Sequence, residues 1–479
     1  MRYISTRGQA PPVSFLDAVL AGLAPDGGLY VPEFWPTALD RDGFRGAAAT
    51  GHFSFVALNV LKAFAGDDLE WDEVALLANE AYLRAPKLEE PIAPPWPEAV
   101  TPLVQIGPGQ WVLELFHGPS LSFKDVAMQL IGPLYDFALA KRDKRVSVVC
   151  ATSGDTGGAA AEALKGRERA DLFILLPKGR VSDVQRRFMT GSGAENVHAI
   201  EIDGDFDDCQ AIVKALFADK DFATRSSLSG VNSINWARIV AQSVYFHIAA
   251  NVLRAAGPVN FIVPTGNFGD AFSGYVAKQT GAPIGQIVMA TNANDILART
   301  MATGRYQRGK ASHATLSPAM DIQVASNFER ILFEALDRDG PATRRLYEQF
   351  AQSGGFDIPP PALAMLRANF AAASASDEET ALSMLSAWDK GAGYLACPHT
   401  AVALHARTKL NPSLPAPIVF LATAHPAKFP ETIVRATGVT PTLPEKVADL
   451  FARPEKISPL ENDAKAVKAF IAEKSRAWA

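Results

Sequence analysis

The stretch VSVVCATSGDTGGAAAEAL, residues 146–164, joins a valine-rich run to an alanine-rich one through a turn of small residues. Valines at 146, 148 and 149 favour a buried strand, and GGAAAEAL favours a helix. The turn SGDTGG, 153–158, therefore lies where a strand passes into a helix. In open α/β sheets, ligands sit at such turns, where unpaired amides at the helix start point outward. Small residues let the backbone approach a ligand, and the hydroxyls of Ser153 and Thr156 add donors for an anion such as a carboxylate. A plain tight turn with a helix cap is the other reading of the same residues.

The same grammar extends outward from this stretch. DLFILLP (171–177), NVHAIEI (196–202), NFIVPTG (260–266), QIVMATN (286–292) and PIVFLATA (417–424) are short apolar runs separated by longer segments of helical period. Strand, helix and strand at this spacing predict parallel sheets covered by helices on both faces. Between the runs, DVAMQLIGPLYDFAL puts Val126, Leu130, Leu134 and Phe137 near one helical face, and WARIVAQSVYFHIAANVL is apolar enough to be a buried helix. Residues 327–390 read as mainly helical, with FERILFEAL and ETALSMLSAW the clearest segments. Residues 1–95 are helix-rich, with a turn at DGG (26–28), and end in the proline cluster EEPIAPPWPEAVTP, which no helix can cross. The chain divides there into an amino-terminal unit and a body, 96–479, of two lobes, the smaller within about 120–260.

At 479 residues, with 46 basic and 51 acidic side chains, the chain lacks the broad positive field that binding to nucleic-acid phosphates requires. Cys150, Cys209 and Cys397 are odd in number and far apart, which argues against a disulfide framework and suits a reducing compartment. No segment has the roughly 18 uninterrupted apolar residues of a membrane span, and the first residues have no signal-peptide pattern. A cytoplasmic protein is the expectation.

Three further segments carry chemistry. PTGNFGD, 264–270, follows a strand and precedes a helix, and its two glycines around Asn267 and Phe268 can form a nest of amides for a phosphate, a structural turn being the alternative. In HGPSLSFKD, 117–125, Lys124 opens a helix in an apolar setting that disfavours its ammonium form, which makes an amine a nucleophile for a carbonyl; a solvated lysine is the bland alternative. NSINWARIVAQ, 232–242, offers Asn232, Ser233 and Arg238 to a second phosphate, or else Asn235 as a helix cap with a surface arginine. GRYQRGKA, 304–311, mimics a nucleotide loop in spacing, but it follows a helix and has Ala311 where a magnesium-binding hydroxyl is needed. The eight histidines show no metal-binding spacing, so no metal is expected, and His425 reads as structural. There is no serine-hydrolase elbow.

Seven segments in order, STRG with SFLDAVLAGLAPDGGLYVPE, HGPSLSFKD, SGDTGG, NSINWARIVAQ, PTGNFGD, SPAMDIQVASNFERILFE and LATAHPAKF, resemble the threonine synthase family nearly end to end. These are pyridoxal 5′-phosphate (PLP) enzymes of the two-lobed, tryptophan-synthase-β-like fold type II. The resemblance implies that Lys124 carries the cofactor covalently and acts as the catalytic base. It implies further that Gly266, Asn267, Phe268, Gly269 and Asp270 form the cofactor-phosphate loop, and that Thr423 faces the pyridine nitrogen. The turn from Ser153 through Asp155 to Thr156 meets the substrate carboxylate and the cofactor ring oxygen, Asp155 being on the cofactor side. Asn232, Ser233 and Arg238 hold the substrate phosphate. The chain departs from the pattern at Cys397, where an aspartate is expected, and at Ala325, where a serine is usual.

The implied reaction converts O-phospho-L-homoserine and water to L-threonine and phosphate by β,γ-replacement, the last step of threonine biosynthesis, in a monomer or homodimer. A serine or threonine dehydratase-like lyase of the same fold, and a PLP-binding homologue without turnover, are the alternatives. A dehydratase needs one phosphate pocket; a phosphohomoserine enzyme needs two.

Overall fold

Val146–Ala151 is a strand, as its valines demand, buried along nearly its whole length and paired in parallel with Ala170–Pro177. Around this pair a five-stranded parallel sheet forms, in the order Ile457–Leu460, Val197–Ile202, Ala170–Pro177, Val146–Ala151, Leu228–Ser229. A second, six-stranded sheet runs in the order Phe370–Ser374, Ile284–Thr291, Val259–Pro264, Ile418–Ala422, Gln110–Glu114, Leu103–Gly107. Its pairs are parallel except the last, a hairpin at the edge. The computed structural model of the chain describes residues 1–37, 39, 42–83, 96, 99–410 and 414–478. The proline cluster at 89–102 lies for the most part outside them.

All six apolar runs become strands of these two sheets. The hairpin at 103–114 and the strand Phe370–Ser374 were not foreseen. FAAAS is locally helix-favouring, and becomes a strand by pairing with Ile287 to Thr291 of a buried neighbour. The 120–260 stretch holds four strands of the smaller sheet, and the fifth arrives from 457–460.

Two buried helices link the lobes to the amino-terminal unit. Lys124–Ala140 and Trp236–Leu253 have almost no solvent-facing side, which explains why apolar residues recur all round them. Among the described residues the unit has four α-helices, Phe15–Ala21, Asp42–Ala48, Phe53–Ala65 and Trp71–Tyr82, with a two-stranded antiparallel ribbon of Tyr3–Ser5 and Tyr30–Pro32. Trp236 is the joint: its ring packs on Tyr3, Trp35 and Phe64, and its Nε1 donates to the Tyr3 hydroxyl at 3.1 Å. No helix among the described residues is long and apolar enough to cross a membrane.

Candidate active site

The lysine loop is built before the lysine is reached. Past the strand Gln110–Glu114, the chain is tied to the end of Ile418–Ala422 by backbone bonds from Leu115 N to Ala422 O, Phe123 N to Thr423 O and His425 N to Leu121 O, at 2.9, 2.8 and 3.1 Å. Asp125 closes the loop on itself, accepting from Ser120 N and Oγ at 2.8 and 2.7 Å and from Ser122 N at 3.3 Å. A Cβ at Gly118 would lie 2.3 Å from Asp125 Cβ, so only glycine fits under this knot. Leu121 takes φ 61°, a left-handed conformation rare for a branched residue and sustained only where the surroundings enforce it. Lys124 then opens its helix with Nζ 4.7 Å from the centre of the Phe123 ring.

Opposite Lys124 stands the turn of the smaller sheet. Gly154, at φ 137°, precedes the helix Asp155–Leu164, and the Thr152 hydroxyl accepts from the amides of Gly154 and Gly157 at 2.9 and 3.0 Å. Asp155 is buried, with one oxygen 3.4 Å from Lys124 Nζ and the other 2.7 Å from Lys428 Nζ and 2.9 Å from Gln185 Nε2. Burial pushes the Asp155 carboxyl up, but the charges of Lys428, Lys124 and His399 outweigh it and hold the group well below the carboxylate range. Burial likewise lowers the Lys124 ammonium; Asp155 opposes this, while Arg238 and Lys428 add to it. Lys124 is thus held toward the neutral amine. Ser153 and Thr156 remain half-buried at the mouth of the turn.

The second glycine turn lies at the same edge of the larger sheet as Thr423. Phe268, at φ 64°, precedes the helix Gly269–Gln279, its ring packed among Phe272, Phe328 and Phe370. A Cβ at Gly266 would lie 3.1 Å from Ala319 O, so the chain passes close to a neighbouring backbone there. Asp270 is buried and accepts from the Tyr245 hydroxyl; its other oxygen has no partner among the described residues. Burial pushes its carboxyl up to about 7, against the pull of Tyr245, Arg238 and Lys124. Arg238 is also buried, donating to Val231 O at 3.4 Å with its Nε unpartnered, and burial lowers its guanidinium to about 10.

Asn327 stitches the two expected phosphate segments together. Its Nδ2 donates to Ser233 O at 3.1 Å and Asn267 O at 3.2 Å, and its backbone N donates to Asn267 O at 3.0 Å. Ser326 Oγ holds the Asn267 side chain at 2.9 Å. Behind it, the fully buried Arg330 donates to Asn327 Oδ1, to Ile234 O at 2.6 Å and to Tyr30 O of the amino-terminal unit at 3.0 Å. Ser233 is drawn to this junction through its carbonyl, Arg238 lies near enough to Lys124 and Asp270 to act on both charges, and Asn232 is exposed. The Asn235 side chain is spent on capping its helix and on Val19 O.

Sequence reading missed Lys428, His399, Gln185, Asn327 and Arg330. Only Lys428 carried a visible signal, as a lysine in the otherwise apolar LATAHPAKF. His425 caps the short turn Pro426–Lys428, its Nδ1 accepting from Ala427 N at 3.1 Å. Cys397 precedes the helix Pro398–Lys409 with Sγ 3.2 Å from Thr400 Oγ1, and Ala325 N donates to the Tyr306 hydroxyl. Among the described residues, no group of three or more histidine, cysteine, aspartate or glutamate side chains could hold a metal ion.

Family models for the threonine synthase N terminus, pyridoxal-phosphate dependent enzymes and the threonine synthase C-terminal region match residues 2–82, 97–424 and 400–471. The chain belongs to the threonine synthase family. A threonine synthase of Pseudomonas aeruginosa is 45% identical over 99% of this chain and 98% of its own. The crystal structure of a PLP-bound threonine synthase from Brucella melitensis superposes with a TM-score of 0.93 at 49% identity, covering 100% of both chains. That of the yeast enzyme gives 0.91 at 34% identity, over 99% and 98%.

The residues present fit the family's cofactor. PLP needs an amine able to lose its proton and a cradle for a phosphate. Lys124 is such an amine, and the backbone amides at the start of Gly269–Gln279 offer such a cradle.

Proposed function

We propose that this site carries out the threonine synthase reaction, from O-phospho-L-homoserine and water to L-threonine and phosphate, as a PLP-dependent lyase of the cytoplasm acting as a monomer or homodimer. When bound, PLP supplies the electron sink that lets a proton leave the substrate Cα. Lys124 anchors the cofactor. Gly266, Asn267, Phe268, Gly269 and Asp270 form the cradle of its phosphate, Thr423 gives a hydroxyl for its ring nitrogen, and Asp155 stands by its ring oxygen. A hydroxyl there does not force the ring nitrogen to stay protonated, which moderates the sink and suits elimination.

Ser153 and Thr156, with the amides of their turn, hold the substrate carboxylate. Lys124 Nζ takes the proton from Cα and, from the same position, one from Cβ, so that phosphate leaves Cγ. Arg238 with Asn232 and Ser233 holds the leaving phosphate; the exposure of Asn232 makes it the outermost of the three. Once the phosphate has gone, Lys124 Nζ returns one proton to Cγ, which becomes the methyl group, water adds at Cβ, and a second proton goes back to Cα.

The joining of 232–235 to 266–268 by Asn327 carries this assignment, because two phosphate-binding segments at one junction are what a phosphohomoserine enzyme needs and a dehydratase does not. The test is release of phosphate with formation of threonine by the purified, PLP-supplied protein. Release of a 2-oxo acid and ammonia from threonine, with no action on phosphohomoserine, would make it a dehydratase. Bound cofactor with neither reaction would make it a binding protein.

A further inference from the structure

Two lysines flank one carboxylate at the centre of the molecule, and the family reaction accounts for one of them. Lys428 is 1% exposed, deeper than Lys124 at 9%. It comes from the turn Pro426–Lys428, on the far side of Asp155 from Lys124. Its Nζ donates to Asp155 Oδ1 at 2.7 Å and to Ser120 O at 2.8 Å, and lies 5.5 Å from the Phe188 ring centre. Ser182 Oγ donates to Lys428 O at 3.1 Å and to Gln185 Oε1 at 3.1 Å, so the residues that orient Asp155 also fix the backbone of Lys428. Lys124 has only the longer contact, 3.4 Å, to the remaining oxygen.

A buried charge is stable only when paired and hydrogen-bonded. Asp155 without Lys428 would have Lys124 as its one ionic partner among the described residues, and an ammonium locked in a salt bridge cannot form a bond to a carbonyl carbon. We propose that Lys428 is a positioning residue that claims the Asp155 carboxylate, leaving Lys124 as a free amine and the carboxylate-binding turn without net negative charge. The proposal rests on Lys124 being the cofactor lysine. The charged and titratable groups facing this pair are Asp155, Arg238, Asp270 and His399 from four helices, Asp125 next to Lys124, His425 before the turn of Lys428, and Lys446 beyond Asp125. Removing the Lys428 charge takes a cation away from Lys124 and turns the whole Asp155 charge toward it, so both effects favour the Lys124 ammonium.

The test titrates the cofactor linkage, not turnover. The full-length, PLP-supplied protein is followed by absorbance against pH, with borohydride reduction and peptide mapping giving the fraction attached at position 124. K428M should move the midpoint of attachment up by about one pH unit, a roughly tenfold change in proton affinity. K428R, which keeps the charge, should titrate like the wild type. D155N should move the midpoint down, because Lys428 is then an unpaired cation beside Lys124. A wild-type midpoint in K428M or D155N overturns the proposal, as does a K428R shift equal to that of K428M. If K428M does not fold, D155N and K428R decide. Loss of attachment in the wild type would instead refute Lys124 as the anchor, and missing phosphate release with titration intact would refute the reaction alone.

Discussion

Lys124 is pulled two ways: burial and the cations Arg238 and Lys428 strip its proton, while Asp155 holds it. An amine in that balance reacts with an aldehyde at ordinary pH, where an exposed lysine stays protonated. Lys124→Ala should therefore remove every borohydride-stable adduct and lower turnover by roughly a thousand-fold or more, checked by absorbance and phosphate release. Arg238 is buried with its Nε unpartnered among the described residues. Arg238→Ala should raise KM for phosphohomoserine by about tenfold or more, the worth of one charge-assisted bond, and leave cofactor absorbance intact. Unchanged steady-state kinetics would remove Arg238 from the substrate pocket.

At the scale of elements, the glycine turns were legible because a strand-to-helix handover leaves a local signature of small residues after a β-branched run. Lys124 was legible through its neighbour Phe123 and the two glycine turns of the same fold. What holds those turns was not. Asn327, about sixty residues beyond Asn267, bonds to it and to Ser233, and Arg330 spans from Ile234 to Tyr30. Such contacts depend on which helices meet, and nothing in the spacing of SNFER announces them. Phe370–Ser374 escaped for a related reason, since alanines become a strand only when a buried strand offers its edge. Asn327→Ala should cost about 1–3 kcal/mol by leaving the Ser233 carbonyl and one buried Arg330 donor unmet, while the backbone N of residue 327 still serves Asn267 O. It should weaken cofactor affinity and raise the substrate KM together, read by PLP titration and initial rates. A change in only one of them would separate the two segments.

Across the whole molecule, buried titratable groups work against one another as pH falls. Burial lowers His247 to about 3, so the folded chain refuses a proton that the unfolded chain accepts below about 6.5. Its contribution to stability is therefore present above that pH and lost on acidification, at about 1.4 kcal/mol per pH unit between the two values. Asp270 and Asp125, pushed by burial up to about 7 and about 6, have the opposite sign: the folded chain binds their protons first, and stability gains as pH falls toward the ordinary carboxylate range. His247→Asn, which also gives up the bond to Thr280 Oγ1, should be less stable than the wild type at neutral pH. The gap should narrow steadily toward pH ~4, measured by urea unfolding. A gap constant with pH would mean that His247 is charged in the folded state.

The smaller lobe borrows its edge from the far end of the chain. Ile457–Leu460 closes the five-stranded sheet, the helix Ala464–Lys474 seals it with Val467 and Ile471, and Arg476 clamps Asp171 at 2.7 Å. A ribosome that has finished residues 146–229 has still not made the strand that completes their sheet, so this lobe must wait, half-edged, until residues 457–460 emerge more than two hundred positions later. A premature stop ahead of 457 would spare every residue assigned to the chemistry and still expose an unpaired strand to proteases and to other chains.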